Sequence, residues 1–232
     1  NSDAASSSSD VQQFYMALNP EGEKKWRLAI IGREELPDPS KKGKGRYWFF
    51  MDTVKNDPKK LRERLDSETY ETKTRGEREN PAARPAGEGR YRIVRHGDHT
   101  HLVYALELPK SPKKVQGAFN IEDEASYIIS VKNPKKGSPK NAGLKEDQQA
   151  DFPESLQSKF EDRRFFDVDP PKFLNYEGAE FMLIAASEDV EKELGIKLDT
   201  ESESKKSADL FKELKIDREN HPVKPLFEGK WK

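Results

Sequence analysis

The apolar residues of this chain are gathered into short segments rich in β-branched and aromatic side chains. Turn-forming or charged residues separate these segments, which predicts β-strands. They are VQQFYMAL at 11–18, KWRLAIIG at 25–32, RYWFFMDTV at 46–54, RYRIVRH at 90–96, HLVYALEL at 101–108, ASYIISVK at 125–132 and AEFMLIAA at 179–186. The last segment has no polar interruption, so we expect it in the centre of the core.

Helix signals are fewer and shorter than strand signals. They lie at 56–68, 151–163, 187–195 and 204–215, where capping residues flank apolar residues three or four apart. The clearest N-caps are Asp57, which precedes Pro58, and Ser187, whose helix is expected to end at Gly195. Strands dominate the first 132 residues and helices the last 80. This order predicts an α+β, mainly β fold: antiparallel sheets forming a sandwich or a partly open barrel, with short helices concentrated in the C-terminal third.

The polar composition predicts a compact core with long loops. Only 33% of the 232 residues are hydrophobic and 37% are charged, which approaches the composition of disordered chains. We expect a disordered tail at 1–10 and a single β-rich domain at 11–232. Long loops are predicted at 74–89 and 133–150, where large apolar residues are almost absent.

Composition also excludes several classes of function. The formal net charge of -1 leaves no overall field that would concentrate nucleic acid or membranes around the molecule. Cysteine is absent, which excludes disulfides and thiolate chemistry and fits a reducing, intracellular compartment. No apolar segment approaches the roughly 20 residues that span a bilayer, so we expect a soluble protein with no membrane partner. The polar segment at 1–10 is also compatible with a targeting peptide that preceded it and was removed by processing.

Three of the four histidines lie within HGDHTH at 96–101. Gly97 and Asp98 predict a two-residue hairpin turn, which places His96 opposite His99. Because side chains two apart on a strand share a face, His101 is expected on the same face as His99.

Three histidines on one face are the ligands of an open zinc site, whose bound water becomes acidic near neutral pH. His96, His99 and His101 are therefore candidate zinc ligands. The alternative is a solvated hairpin tip without metal, because a ladder seldom directs three rings at one point. The letters Arg95-His96-Gly97 resemble the signature of the histidine phosphatase superfamily, which implies phosphate chemistry. In that family the motif leads into a helix, whereas here it leads into a predicted strand.

Lysine-rich loops recur between the predicted strands. With Arg95 of the histidine-rich segment, they supply the candidates for anion binding: Lys44, Arg46, Arg95, Lys113, Lys114, Lys135 and Lys136. The segment SPKK at 111–114 resembles units of linker-histone tails, a resemblance that implies minor-groove contact with DNA. Lysines in such loops neutralise phosphates without reading bases. Aromatic residues at 47–50 offer stacking surfaces for bases, although alternation turns two of these four toward the core. The alternative is that lysine-rich loops only keep strand edges soluble.

Taken with the lack of a catalytic motif, these features predict a non-enzymatic binding or scaffold module that presents basic loops to a protein or nucleic-acid partner. The competing prediction is a zinc-dependent, hydrolase-like enzyme that uses the histidine cluster. A concave pocket in which the three rings converge would favour the enzyme.

Overall fold

The computed structural model describes residues 7–72, 76–138, 142–201, 203–204 and 207–231. Its strands are Phe14–Leu18 (β1), Trp26–Ile31 (β2), Arg46–Lys55 (β3), Glu68–Thr72 (β4), Gly76–Asn80 (β5), Glu88–His96 (β6), His99–Leu108 (β7), Glu124–Lys132 (β8), Phe165–Asp167 (β9) and Glu180–Ser187 (β10). Its α-helices are Pro58–Leu65 (α1), Lys114–Ala118 (α2), Glu154–Gln157 (α3), Val190–Leu194 (α4), Asp209–Lys212 (α5) and Lys224–Glu228 (α6).

Eight strands form one antiparallel sheet that curls into a half-barrel. The strand order is β1-β2-β3-β10-β8-β7-β6, and β9 pairs with the end of β8. Strands β4 and β5 form a separate two-stranded sheet. The predicted fold class is confirmed, because the protein is mainly β with an antiparallel curled sheet and short helices in its C-terminal part.

The core lies on one face of the curled sheet. Alternation along the central strands directs Phe49, Phe181 and Ile129 into it, and all three side chains are completely buried. The segment 150–174 covers this face with aromatic rings, among them Phe152 and Phe173, whose centroids are 5.2 Å apart in an edge-on contact. We call this side of the sheet the core face.

The helix caps follow the sequence in part. Asp57 caps α1 by accepting a hydrogen bond from the Lys59 N–H at 2.9 Å, as predicted. Helix α4 ends at Gly195, where φ is +66°. Its N-cap is Asp189 rather than Ser187, because the Ser187 hydroxyl instead accepts the Asp189 N–H. The helix expected at 204–215 is regular only over the single turn of α5.

The long loop predicted at 74–89 contains β5, so that prediction needs correction from residue 76 onward. Strand β5 pairs with β4 in an antiparallel ladder, and backbone pairing of this kind needs no large apolar side chains. Hydrogen bonds hold the remainder of the segment: the Ala83 N–H donates to the Leu65 carbonyl, and the Gln116 side chain donates to the Ala86 carbonyl. Residues 74 and 75 lie outside the described part of the chain.

The predicted N-terminal tail and the predicted loop at 133–150 also contain local structure. Residues 1–6 of the tail lie outside the described residues, but Ser8–Asp10 form one 3₁₀ turn in which the Asp10 carboxylate accepts the Ser7 N–H. The second segment has a 3₁₀ turn at Glu146–Gln148, and residues 139–141 lie outside the described residues. No helix in the described part of the chain is long and apolar enough to cross a membrane.

Candidate functional site

The hairpin predicted from the histidine-rich segment is present. Gly97 and Asp98 join β6 to β7, and His96 is paired with His99 across the ladder. Gly97 has φ of +60°, the sign that the first central residue of a type II′ turn requires. The register also places His101 on the same face as His99, as alternation predicts.

His101 is a buried and bonded side chain. It is 3% exposed, and its Nδ1 lies 2.8 Å from the Ser126 hydroxyl on β8. Burial lowers the pKa of His101, and the charges of His96, His99 and Lys42 act in the same direction against the attraction of Glu193. The neutral imidazole is therefore the favoured form.

The three rings do not converge on one point. His99 is exposed and its Nε2 lies 3.5 Å from Asp98 in the turn, while His96 lies edge-on to His101 with ring centroids 6.0 Å apart. Among the described residues, no group of three His, Asp or Glu side chains is arranged to hold a metal ion. The geometry gives the predicted zinc site at His96, His99 and His101 no support, because one ring is buried while two extend into solvent.

The candidate anion-binding residues are spread over the sheet. Lys113 and Lys114 lie at the start of α2, whereas Lys135 and Lys136 follow β8. Lys44 and Arg46 lie where β3 begins, and Arg95 lies near the tip of the β6–β7 hairpin. The seven cations therefore come from four separate parts of the fold.

Carboxylates accompany several of these cations. Arg95 is ion-paired with Asp169, and Lys136 is ion-paired with Asp162. Lys135 lines a 260 Å³ surface cavity beside Glu154, Glu161 and Asp162. Lys44 lines another, of 290 Å³, beside Glu35 and Asp38. Both cavities therefore have mixed charge, which does not favour a bound anion.

The face of the sheet opposite the core carries an apolar surface. The register places Ile30 opposite Phe50, Trp48 opposite Met182, and Ile184 opposite Ile128. We call this surface the open face; it consists of Ile30, Trp48, Phe50, Ile128, Phe165, Met182 and Ile184. Every one of these side chains is half-buried, and none belongs to the clusters of buried side chains found in the described part of the chain.

Three aromatic rings form the centre of the open face. Trp48 stacks on Phe50 with centroids 5.9 Å apart and planes inclined by 16°. Trp48 also meets Phe165 of β9 at 6.2 Å. Because these contacts hold the Trp48 ring on both sides, the open face presents an ordered aromatic surface rather than isolated flexible side chains.

A buried ion pair supports these rings. Lys132 of β8 and Glu180 of β10 lie in the row between Phe50 and Phe165, and Lys132 Nζ is 2.8 Å from Glu180 Oε2. The other oxygen of Glu180 accepts the Leu144 N–H at 2.8 Å. The two charges are thus compensated within the sheet, so they act as structural supports.

Helices cover the two flanks of this side of the sheet and leave the open face between them. On one flank, Leu28 packs with Leu61 and Leu65 of α1. On the other flank, Val103 packs with Val190 of α4. The open face lies between these flanks, and the segment 143–144 contacts it at the buried Glu180, whose carboxylate accepts the Leu144 N–H.

A polar border adjoins the open face near the hairpin. Asp167 of β9 lies opposite Ser130 of β8, on the same face as Phe165. Burial raises the pKa of Asp167, while the positive charges of His99 and Arg95 oppose that effect. This side of the open face thus combines Arg95 and His99 with the carboxylates of Asp98, Asp167 and Asp169.

The sequence contained only a partial signal for this surface. Alternation correctly separates Trp48 and Phe50 from the buried Phe49, but the apolar segment AEFMLIAA predicted a strand enclosed on both faces. Met182 and Ile184 instead lie on the open face, because the covering helices pack over the flanks. A strand that is apolar on both faces fits either a second covering layer or a docking surface.

No protein-family model matches the chain, and no curated protein and no solved structure shows significant similarity to it.

Proposed function

We propose that this protein is a non-enzymatic binding module that docks a protein partner on the open face. The observation that carries the proposal is the set of seven half-buried apolar side chains on adjacent strands, none of which belongs to a cluster of buried side chains in the described part of the chain. A contiguous apolar surface that stays partly accessible to solvent is the kind of surface on which proteins interact.

The composition of the open face favours a protein partner over nucleic acid. Four of its members are aliphatic: Ile30, Ile128, Met182 and Ile184. Aliphatic side chains pack well against apolar side chains of a partner, whereas single-stranded nucleic acid needs aromatic platforms along a continuous basic groove. The candidate cations lie at separate places on the sheet, which leaves such a groove without support.

The polar groups nearest to the open face support a binding role. Lys132 and Glu180 neutralise each other in the row between Phe50 and Phe165, and His101 is bonded to Ser126. Trp48 is the expected energetic centre of the interface, because tryptophan is among the residues most often found at binding hot spots.

Selection from a displayed library of random peptides tests the proposal. The library is panned on the wild-type protein, and the selected peptides are measured on the double variant Trp48→Ser/Met182→Ser. The matched control is Tyr70→Ser, which removes an aromatic side chain that is 40% exposed on β4, outside the open face. Circular dichroism establishes that all variants are folded.

We expect the selected peptides to bind the wild type and Tyr70→Ser equally and to lose at least tenfold in affinity on the double variant. Peptides that bind the double variant as tightly as the wild type would contradict the proposal. A single-stranded oligonucleotide whose binding the double variant abolishes would also contradict it, because the open face would then serve nucleic acid.

A further inference from the structure

The border of the open face is basic where β3 begins. Arg46 is opposite Ile184, which is itself opposite Ile128, so the three residues form one row across three strands. Residues directly opposite in a ladder share a face and lie about 5 Å apart. The exposed Arg46 side chain therefore borders the aliphatic part of the open face.

Arg46 differs from two other arginines that border the sheet. Arg64 is paired with Asp52 at 3.0 Å, and Arg95 is paired with Asp169. Arg46 has no carboxylate within ion-pair distance in the part of the chain that the structure describes. Its guanidinium, which presents five donors in a rigid fork, is available to a carboxylate of a partner.

Lys42 adds a second cation on the same side of the sheet. Its Nζ lies 3.4 Å from Glu193 of α4, and 75% of its side chain is exposed. Glu193 is mostly buried, and its negative charge offsets that of Lys42. The uncompensated positive charge at this border is therefore that of Arg46.

We infer that the open face recognises a protein segment in which apolar residues are flanked by aspartate or glutamate. The apolar residues pack on Ile128, Ile184 and Trp48, and a flanking carboxylate pairs with Arg46. This inference rests on the proposed function, because it specifies the partner of the same face. Charge complementarity at an interface border favours the correct partner and accelerates association.

Three synthetic peptides with one apolar core sequence test the inference. Their flanks are acidic, neutral or basic, and each is measured on the wild type, on Arg46→Glu and on Trp48→Ser/Met182→Ser. Lys110→Glu is the matched control, since it reverses an exposed charge away from the open face. The core sequence is taken from the peptides that the display selection yields.

We expect the wild type to bind the acidic peptide up to about fivefold more tightly than the neutral peptide, the upper end of the range for one exposed ion pair. Added salt should reduce this preference. Arg46→Glu should reverse it in favour of the basic peptide, and Lys110→Glu should leave it unchanged.

The inference and the proposed function fail in different ways. Equal binding of all three peptides, lost in Trp48→Ser/Met182→Ser, would refute the acidic specificity and leave the docking function intact. Binding that the double variant does not weaken would refute the docking function itself. Self-association of the wild type that the double variant abolishes would refute both, because a second copy of the chain would then be the occupant.

Discussion

Lys132 Nζ lies 2.8 Å from Glu180 Oε2, and both side chains are almost completely removed from solvent between adjacent strands. Compensation within this pair allows two charges to occupy the row between Phe50 and Phe165, on the same face of the sheet as these rings. The pair explains how this face accommodates two buried charged side chains among apolar ones.

Removal of one member of this pair should destabilise the protein strongly. Lys132→Met leaves the Glu180 carboxylate buried without its cation, which should lower the free energy of unfolding by about 3–5 kcal/mol. Urea denaturation measures the change. The control is Lys55→Met, which breaks the exposed Lys55–Glu177 pair at 2.6 Å and should cost less than about 1 kcal/mol. Equal changes in the free energy of unfolding would show that burial does not make the Lys132–Glu180 pair more important than the exposed Lys55–Glu177 pair.

Adjacent aromatic residues on β3 should respond differently to truncation. Phe49→Ala creates a cavity in the core and should lower the free energy of unfolding by about 3–5 kcal/mol. Trp48→Ala removes contacts with Phe50 and Phe165 from a side chain that is partly exposed, and should cost less, about 2 kcal/mol. Chemical denaturation of both variants measures the difference. A cost for Trp48→Ala as large as that for Phe49→Ala would mean that the open face is enclosed.

His101 should make stability depend on pH under mildly acidic conditions. Burial lowers its pKa below the ordinary value of 6.5, so the unfolded chain takes up a proton before the folded protein does. The free energy of unfolding contributed by the neutral ring is therefore fully present above pH 6.5 and decreases as the pH falls from there toward the lowered value. Denaturation curves collected across this interval measure the slope.

The variant His101→Gln should flatten that slope, whereas His99→Gln retains His101 and should keep it. A slope that is unchanged in His101→Gln would assign the pH dependence to other groups.

His221 should act as a tether for the C-terminal segment. Its side chain is completely buried, Nδ1 is 2.8 Å from the Ala83 carbonyl oxygen, and Nε2 is 2.9 Å from Asp66 Oδ1. His221→Leu removes both hydrogen bonds and should lower the free energy of unfolding by about 2 kcal/mol. His99→Leu, at an exposed position, should change it by less than about 0.5 kcal/mol. Thermal or urea denaturation of the two variants measures the change in the free energy of unfolding. Equal changes in the two variants would contradict the role of His221 as a tether.

Local patterns predicted the main sheet correctly. All seven segments chosen for their β-branched and aromatic residues contain strands. These segments are recognisable because the alternation of side chains and the apolar content are properties of each segment by itself. Strands β4, β5 and β9 were not predicted. The first two are highly polar and depend on pairing with each other, while β9 has three residues and depends on β8. These strands depend on pairing with other segments, which the pattern of residues within one segment does not predict.

The candidate site was less predictable than the fold. The hairpin and the shared face of its histidines follow from turn chemistry and alternation, but the burial of His101 depends on Ser126, 25 residues away. The open face likewise joins residues from β2, β3, β8, β9 and β10. Only the strand order reveals that Trp48 and Phe165 meet, and that the helices leave this surface uncovered.

Solvent exposure of isoleucine methyl groups tests the central claim most directly. Methyl NMR spectra recorded with a soluble paramagnetic agent compare Ile128 and Ile184 on the open face with Ile129 on the core face, next to Ile128 in sequence. We predict strong relaxation enhancement for the first two methyl groups and little for Ile129, which is fully buried. Equal protection of all three would show that the open face is covered in solution and would contradict its role as a docking surface.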